Sequence, residues 1–435
     1  MMGERRKEKG EGRKEGSSSL ASVLLLAGSS PRVFYIFRVM MENILRISYR
    51  VTTDKEEFGN YEGLKFSYGE RCSDELHFGA VSLLFEEGIQ EIPLDSIDWN
   101  GYRLFFPVED SALPFDPFAL SFYLISRYEE YLLNALKDQH GRFDISGAVA
   151  YRNGFHRKPM VNIIACEIVR MLKERYPDFH FPDPVHKAIH TYDVDMAYQY
   201  KGKSALRFTA SLLKALFLLD MEKVKGLLGK DVDDVYDQFD NHRKNNALRQ
   251  EKNIHFLLTA PFGRYDRNID SNSKAFSELV KKLSTFSEIG IHPSYYSSEK
   301  PELLSREKSK LEFVYGEKIV KSRQHYLRFS FPSTFRNLIK NGITDDYSLG
   351  WSTEVGFRCS TATPYLFYDL PQEKETTLTL HPLTIMDGAL AGLTTNKEEQ
   401  IRIFHSLLDE VKQYGGEFIL LQHNSFGEKF DGEVY

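Results

Sequence analysis

The chain has 435 residues, with 56 Lys+Arg against 62 Asp+Glu for a net charge of −6, and it is 42% hydrophobic and 13% aromatic. That length exceeds one ordinary core, so two domains are expected, and the apolar share excludes wholesale disorder. The mild acidity argues against a nucleic-acid partner, Cys72, Cys166 and Cys359 are too few and scattered for a disulfide framework or a thiolate zinc site, and no apolar run reaches the ~18 residues of an integral membrane span.

Residues 1–40 read as a disordered or non-native N-terminal extension. The mixed-charge run ERRKEKGEGRKE at 4–15 and Ser17–Ser19 cannot bury a core. LASVLLLAG at 20–28 imitates a secretory leader, while a regular amphiphilic pattern opens at Met41. A cytoplasmic bacterial protein follows if the extension is not native, and an exported one if residues 1–30 are a true signal.

Residues 41–182 read as an α+β accessory domain. Ile44–Val51, Ala80–Phe85 and Tyr102–Phe106 pattern as strands. Asp116–Leu136 patterns as a helix, with Asp116 placed to cap it and Pro117 at its first position. Val161–Arg175 is a second helix, and the proline-rich run 176–184 closes the region.

From 185 onward strand and helix alternate. Strands are predicted at Lys187–Tyr192, Ile254–Ala260, Glu288–Ile291, Tyr347–Trp351, Thr377–Leu380 and Glu417–Leu421. Helices are predicted at Ser273–Phe286, Pro301–Tyr315, Thr334–Lys340 and Asn396–Tyr414. The basic stretch 201–230 reads as a helical hairpin with a solvated face. This alternation implies parallel strands with helical crossovers, and such sheets place their chemistry beyond the carboxyl ends of strands.

Asp193 and Asp195, His292, His381 and His423 all follow predicted strands. Two carboxylates two residues apart point to one face of an extended segment, so one can ligate a cation while the other takes a proton from water. His292 precedes Pro293 and so sits at an extended strand exit. Arg323 is suited to pair with a buried aspartate. No GxGxxG before a helix, no Walker loop and no G-x-S-x-G is present.

These residues resemble the motifs of the NodB-like polysaccharide deacetylases, a carbohydrate esterase superfamily. Thr191-Tyr192-Asp193-Val194-Asp195 stands where that family has T-F-D-D-G. The resemblance implies Asp193 as general base and Asp195 as metal ligand. The family's H-[ST]-x-x-H becomes His292-Pro293-Ser294-Tyr295-Tyr296, which keeps the first histidine and puts Tyr296 in place of the second. Arg323-Gln324-His325-Tyr326 resembles R-x-P-Y, making Arg323 the residue that orients the base and His325 a substitute third ligand. Arg358 and Tyr365 lie where the family shapes its cleft, and with Tyr296 they become substrate-binding candidates. His423, in an apolar strand ending L-x-H-N, and His381 compete for general acid, with His423 favoured. The Asp116–Tyr131 stretch and His140-Gly141-Arg142-Phe143 resemble a domain found beside such barrels.

The fold implied is α/β: a distorted (β/α) NodB-like barrel over 185–435, preceded by a smaller α+β domain. The activity implied is metal-dependent removal of N-acetyl groups from a carbohydrate, with a divalent ion, zinc by default. A glycoside hydrolase-like barrel stays open if Asp369 or Asp387 supplies a third acid. So does a carbohydrate-binding barrel without catalysis.

Overall fold

The computed structural model describes residues 22–230, 232–249 and 252–424. Two parallel sheets organise it. The first has the order β2-β1-β3-β4, from β1 (Ser22–Leu26), β2 (Ser48–Thr52), β3 (Lys65–Tyr68) and β4 (Leu76–Phe78), paired parallel throughout. An antiparallel hairpin, β5 (Ser96–Trp99) and β6 (Tyr102–Phe105), lies beside it.

The extension expected over 1–40 does not end at Met41. Residues 1–21 lie outside the described residues, but β1 is an inner strand, with Val23, Leu24 and Leu25 buried. The helix Pro31–Phe37 follows, capped by the Ser30 side chain accepting from the Val33 amide. Met40 and Met41 are both fully buried in the same core. The cause is compositional: a short parallel strand buried on both faces is a continuous apolar run, and so is the middle of a leader peptide. The parallel pairing also makes this region α/β layered rather than α+β.

Three local expectations shift. Ala80–Phe85 is no strand; Ser82–Phe85 forms a tight 3-10 turn. The helix capped by Asp116 runs only Pro117–Ile125. It stops because Arg127 takes a left-handed backbone (φ 55°), which turns its buried guanidinium onto Glu129 and Glu130. Tyr347–Trp351 is not a strand either. Pairing is confined to Asp345–Asp346, and Asp346 then accepts from the Ser348 amide and hydroxyl, which bends the chain away.

The second sheet comprises β7 (His186–Val194), β8 (Lys252–Leu257), β9 (Glu288–Ile291), β10 (Lys321–Ser322), β11 (Asp345–Asp346), β12 (Tyr365–Asp369), β13 (Lys374–Leu380), β14 (Ile385–Met386) and β15 (Gly416–His423). Its order is β12-β13-β11-β10-β9-β8-β7-β15-β14, parallel except for β12 against β13. Among the described residues no strand pairing joins its two edges, so hydrogen bonding does not close the expected barrel. The sheet nonetheless curls: one imidazole, His381, bridges Asp345 on β11 (3.0 Å) and Glu417 on β15 (2.7 Å), strands five places apart in the order.

One apolar cluster runs from Val23 to Leu380 and so spans both sheets. Buried polar links cross the same junction: Arg32 donates to Glu373 (2.9 Å), the Tyr35 hydroxyl to the Leu366 carbonyl (2.9 Å), and Arg358 to Glu130 (2.7 Å). A chain beginning at Met41 lacks the inner strand and should give no cooperative thermal transition. Within the full chain, Ile36→Ala removes a fully buried side chain and should cost about 2–5 kcal/mol in denaturant melts. An unchanged melt on truncation would remove this account of the first sheet.

Candidate functional site

The site is assembled by β7. Its alternation sends Thr191 and Asp193 to one face and Tyr192 to the other. Tyr192 stacks on His242 (ring centroids 3.8 Å) and His255 (4.7 Å), beneath the helix Phe239–Arg249. His242 Nδ1 lies 3.1 Å from His255 Nε2, and His255 Nδ1 lies 2.7 Å from the Ser287 hydroxyl. On the opposite face Arg323, immediately after β10 and fully buried, donates to the Thr191 hydroxyl (2.7 Å) and to Asp193 Oδ1 (3.1 Å). Its Nε donates to the Tyr347 carbonyl (3.1 Å), and its guanidinium lies over the Phe256 ring. The pairing expected of Arg323 is therefore with Asp193.

Asp195 sits one residue past β7. His292 exits β9, and its Nδ1 donates to the Arg323 carbonyl (2.6 Å). This turns Nε2 toward Asp195 Oδ1 (3.1 Å), while Asp193 Oδ2 lies 3.7 Å away. His325 opens the turn His325–Leu327, in which Tyr326 is left-handed (φ 61°). Its Nδ1 donates to Asp266 (2.9 Å), and its Nε2 lies 3.4 Å from Asp195 Oδ1. Asp195, His292 and His325 thus offer one ligand atom each, all within 4.8 Å of one another.

The donor set suits a divalent cation. Two imidazoles have Nδ1 occupied and Nε2 convergent, the arrangement that fixes ligand tautomers. Asp195 Oδ1 is a buried oxygen that faces both Nε2 atoms, at 3.1 and 3.4 Å. Burial alone would raise the Asp195 carboxyl, but His325 and His292 outweigh it and hold it well below the usual range. His325 answers in kind. Burial would lower it, yet Asp195 and Asp266 push it up to about 9.

His423 ends β15 in register opposite Asp193. Its Nδ1 is bonded to Asp387 Oδ1 (2.7 Å), its amide donates to Asp387 Oδ2 (2.6 Å), and its Nε2 is 3.9 Å from Asp195 Oδ2. Burial opposes its protonation, but Asp387, Asp195 and Asp193 push it up to about 10. Asp193, Asp195, His292, His325 and His423 line a cleft of about 350 Å³, together with Tyr236, Tyr265, Tyr326, Arg142 and Arg267.

Not every candidate reaches this cleft. His381 follows β13 but does not line the cleft: it contacts Asp345 (3.0 Å) and Glu417 (2.7 Å), the latter six residues before His423 on β15. Arg358 is buried against Glu130, the Gly350 carbonyl and the Phe329 and Trp351 rings. Tyr365 is buried, its hydroxyl donating to the Ile125 carbonyl (3.1 Å). Both therefore serve the junction between the two sheets. Tyr296 is half-exposed and meets the cleft only through the Tyr265 ring. Asp266 had no signal in the sequence. Asp387 has one, an Asp-Gly directly after a short apolar run, but the sequence offers it only as a third acid.

Residues 23–177 match a family described as "Family of unknown function (DUF7033)". No curated protein matches the chain. Among solved structures, the chain is similar to several polysaccharide deacetylases, the family its motifs resemble. One, a Mycobacterium smegmatis protein described as a polysaccharide deacetylase, shows 14% identity and a TM-score of 0.38, over 59% of this chain and 82% of that one. A polysaccharide deacetylase from Bacillus cereus gives 12%, 0.25, 56% and 80%. A family 4 carbohydrate esterase from Streptomyces lividans, in complex with acetate, gives 11%, 0.26, 57% and 83%.

The buried histidine pair under Tyr192 makes the support of β7 sensitive to acid. Burial, with Lys282 nearby, lowers His242 to about 3, and burial holds His255 well below its ordinary value. The unfolded chain protonates both near 6.5 while the folded chain does not. Stability is therefore complete above that pH and is lost as pH falls from 6.5 toward 3. The slope should be at most about 1.4 kcal/mol per pH unit for each histidine. Urea melts from pH 7 to 4 should show this decline, and His242→Gln should make it shallower. An equally steep decline in the variant would exclude His242 as its source.

Proposed function

We propose that the chain is a metal-dependent amide hydrolase that removes N-acetyl groups from a carbohydrate. One observation carries this reading. The three convergent ligand atoms of Asp195, His292 and His325 have beside them a carboxylate set by Arg323, whose Oδ2 lies 3.7 Å from His292 Nε2, and an imidazole set by Asp387, whose Nε2 lies 3.9 Å from Asp195 Oδ2. A base and an acid next to one cation site are what cleaving an amide with water requires.

Asp195, His292 and His325 would hold the ion, with Asp266 and the Arg323 carbonyl orienting the two imidazoles. When bound, a divalent ion supplies polarisation of the amide carbonyl and of a water. Zinc suits this nitrogen and oxygen donor set. Asp193 accepts the proton of the attacking water through Oδ2, because its Oδ1 is held by Arg323. His423 holds a proton for the departing sugar amine, its ring fixed from behind by Asp387. Tyr236, Tyr265 and Tyr326 offer aromatic faces along the cleft, a lining suited to sugar rings.

The glycoside hydrolase alternative lacks its acid. Asp369 is clamped by Arg336 (2.6 and 2.7 Å), and both Asp387 oxygens serve His423. The carbohydrate-binding alternative gives no role to an Arg323–Asp193 pair aimed at a cation site.

Asp195→Ala and His292→Ala should abolish zinc uptake and acetate release from N-acetylated oligosaccharides. Asp193→Asn should retain the ion and lose about 10²–10⁴-fold in kcat. Asp266→Asn removes the support behind His325 and should weaken zinc binding about 10–100-fold. Wild-type zinc affinity in His325→Ala would refute its place as third ligand.

A further inference from the structure

The segment between β7 and β8 carries a surface that the chemistry of the cleft does not use. Ahead of the helix Phe239–Arg249 it forms a hairpin of two helices, Ala205–Phe217 and Met221–Leu227, packed on each other through Ala215, Val224 and Leu227. The solvated face expected here is not merely basic. Leu206, Leu213 and Phe217 recur at helical spacing and point outward, with Thr209 and Ala210 exposed between them. At the tip Leu216, Leu219 and Met221 are also exposed; Phe217 is 86% and Leu219 81% accessible. An outward apolar stripe of this kind marks an interaction surface rather than a solvated face.

Its charge identifies the partner. Within the hairpin 204–230, Arg207, Lys214, Lys223, Lys225 and Lys230 stand against Asp220 and Glu222, a net +3 in a chain whose total is −6. Leucine and phenylalanine beside lysine on one exposed helical hairpin match an anionic lipid surface: the apolar side chains enter the acyl boundary and the lysines meet the headgroups. Among the described residues no helix is long and apolar enough to cross a membrane.

The hairpin is also tied to the mouth of the cleft. Arg207 donates to the Asn268 carbonyl (2.6 Å) and lies 3.7 Å over the half-exposed Phe262 ring. The Asp270 amide donates to the Gly202 carbonyl (2.7 Å). The loop so held, 261–270, carries Tyr265, Asp266 and Arg267 of the site.

We propose that the hairpin 204–230 docks this face on an anionic membrane surface and presents the cleft to an N-acetylated glycan on a lipid anchor. The docking stands on the hairpin alone, whereas the substrate class rests on the deacetylase reading. The full chain should float with vesicles of equal parts phosphatidylglycerol and phosphatidylcholine, and at least tenfold less with phosphatidylcholine alone. High salt should weaken the anionic binding. Phe217→Glu with Leu219→Glu should abolish flotation while leaving the thermal melt and the mass in light scattering unchanged. No flotation of the wild type, or equal flotation of the variant, overturns the docking. A wild-type dimer that the double variant dissolves, without vesicle binding, assigns the face to a second copy and overturns it too. The wild type should release acetate faster from a vesicle-anchored N-acetylglucosamine glycolipid than from the soluble oligosaccharide, and the double variant should lose that preference alone. Flotation without acetate from either substrate keeps the docking and removes the substrate class.

Discussion

Everything in the site depends on the register in which β7 sits between β15 and β8. Eight consecutive residue pairs, from Gly416↔His186 to His423↔Asp193, hold β15 parallel to β7. The pairing of β7 with β8 and of β8 with β9 continues that alignment to Ile291, one residue before His292. Four strands therefore run level, and the site residues at the ends of three of them, β15, β7 and β9, meet. A slip of one residue would turn Asp193 to the face of Tyr192 and the histidine pair, and would send Tyr192 toward Arg323.

Level strand ends supply proximity, and fixed partners supply direction. Each group pointing into the cleft is held by a second group behind it: Asp193 by Arg323, His292 by the Arg323 carbonyl, His325 by Asp266, His423 by Asp387. Arg323 appears twice, so a single buried side chain and its own carbonyl set both the base and one imidazole. The first region takes part as well. Arg142 donates to the Tyr326 carbonyl (2.8 Å), and the His140 carbonyl accepts from Arg328 (2.7 Å), which also reaches Tyr295 and Ser298. The turns carrying His292 and His325 are thereby fastened to residues 138–142. The expected accessory domain is part of the frame of the site, and the apolar core that runs through both sheets is consistent with that.

Much of this was legible in the sequence because strand exits leave local signs. Glu288–Ile291 is bounded by His292-Pro293, and the strand ends where that dipeptide places it. His325 could be found because it interrupts a motif-like run beside Arg323. What stayed hidden depends on tertiary context. β1 could not be told from a leader, since burial on both faces erases the alternation that marks a strand. His381 follows an apolar strand as His423 does, and only the curl of the sheet separates them. Asp266 lies in a loop with no periodicity, and its place behind His325 comes from long-range packing. Arg358 and Tyr365 sit in a region that the family resemblance assigned to the cleft, but their neighbours, Glu130 and Ile125, come from the other sheet.

If Asp195, His292 and His325 form one cation site, anomalous scattering from crystals grown with zinc locates the ion among them. One strong peak is expected, about 2.0–2.2 Å from an Asp195 oxygen and from the Nε2 atoms of His292 and His325. None is expected at His381, whose two nitrogens already face Glu417 and Asp345. Zinc bound elsewhere with this cluster empty, or no anomalous peak at saturating zinc, would contradict the single cation site.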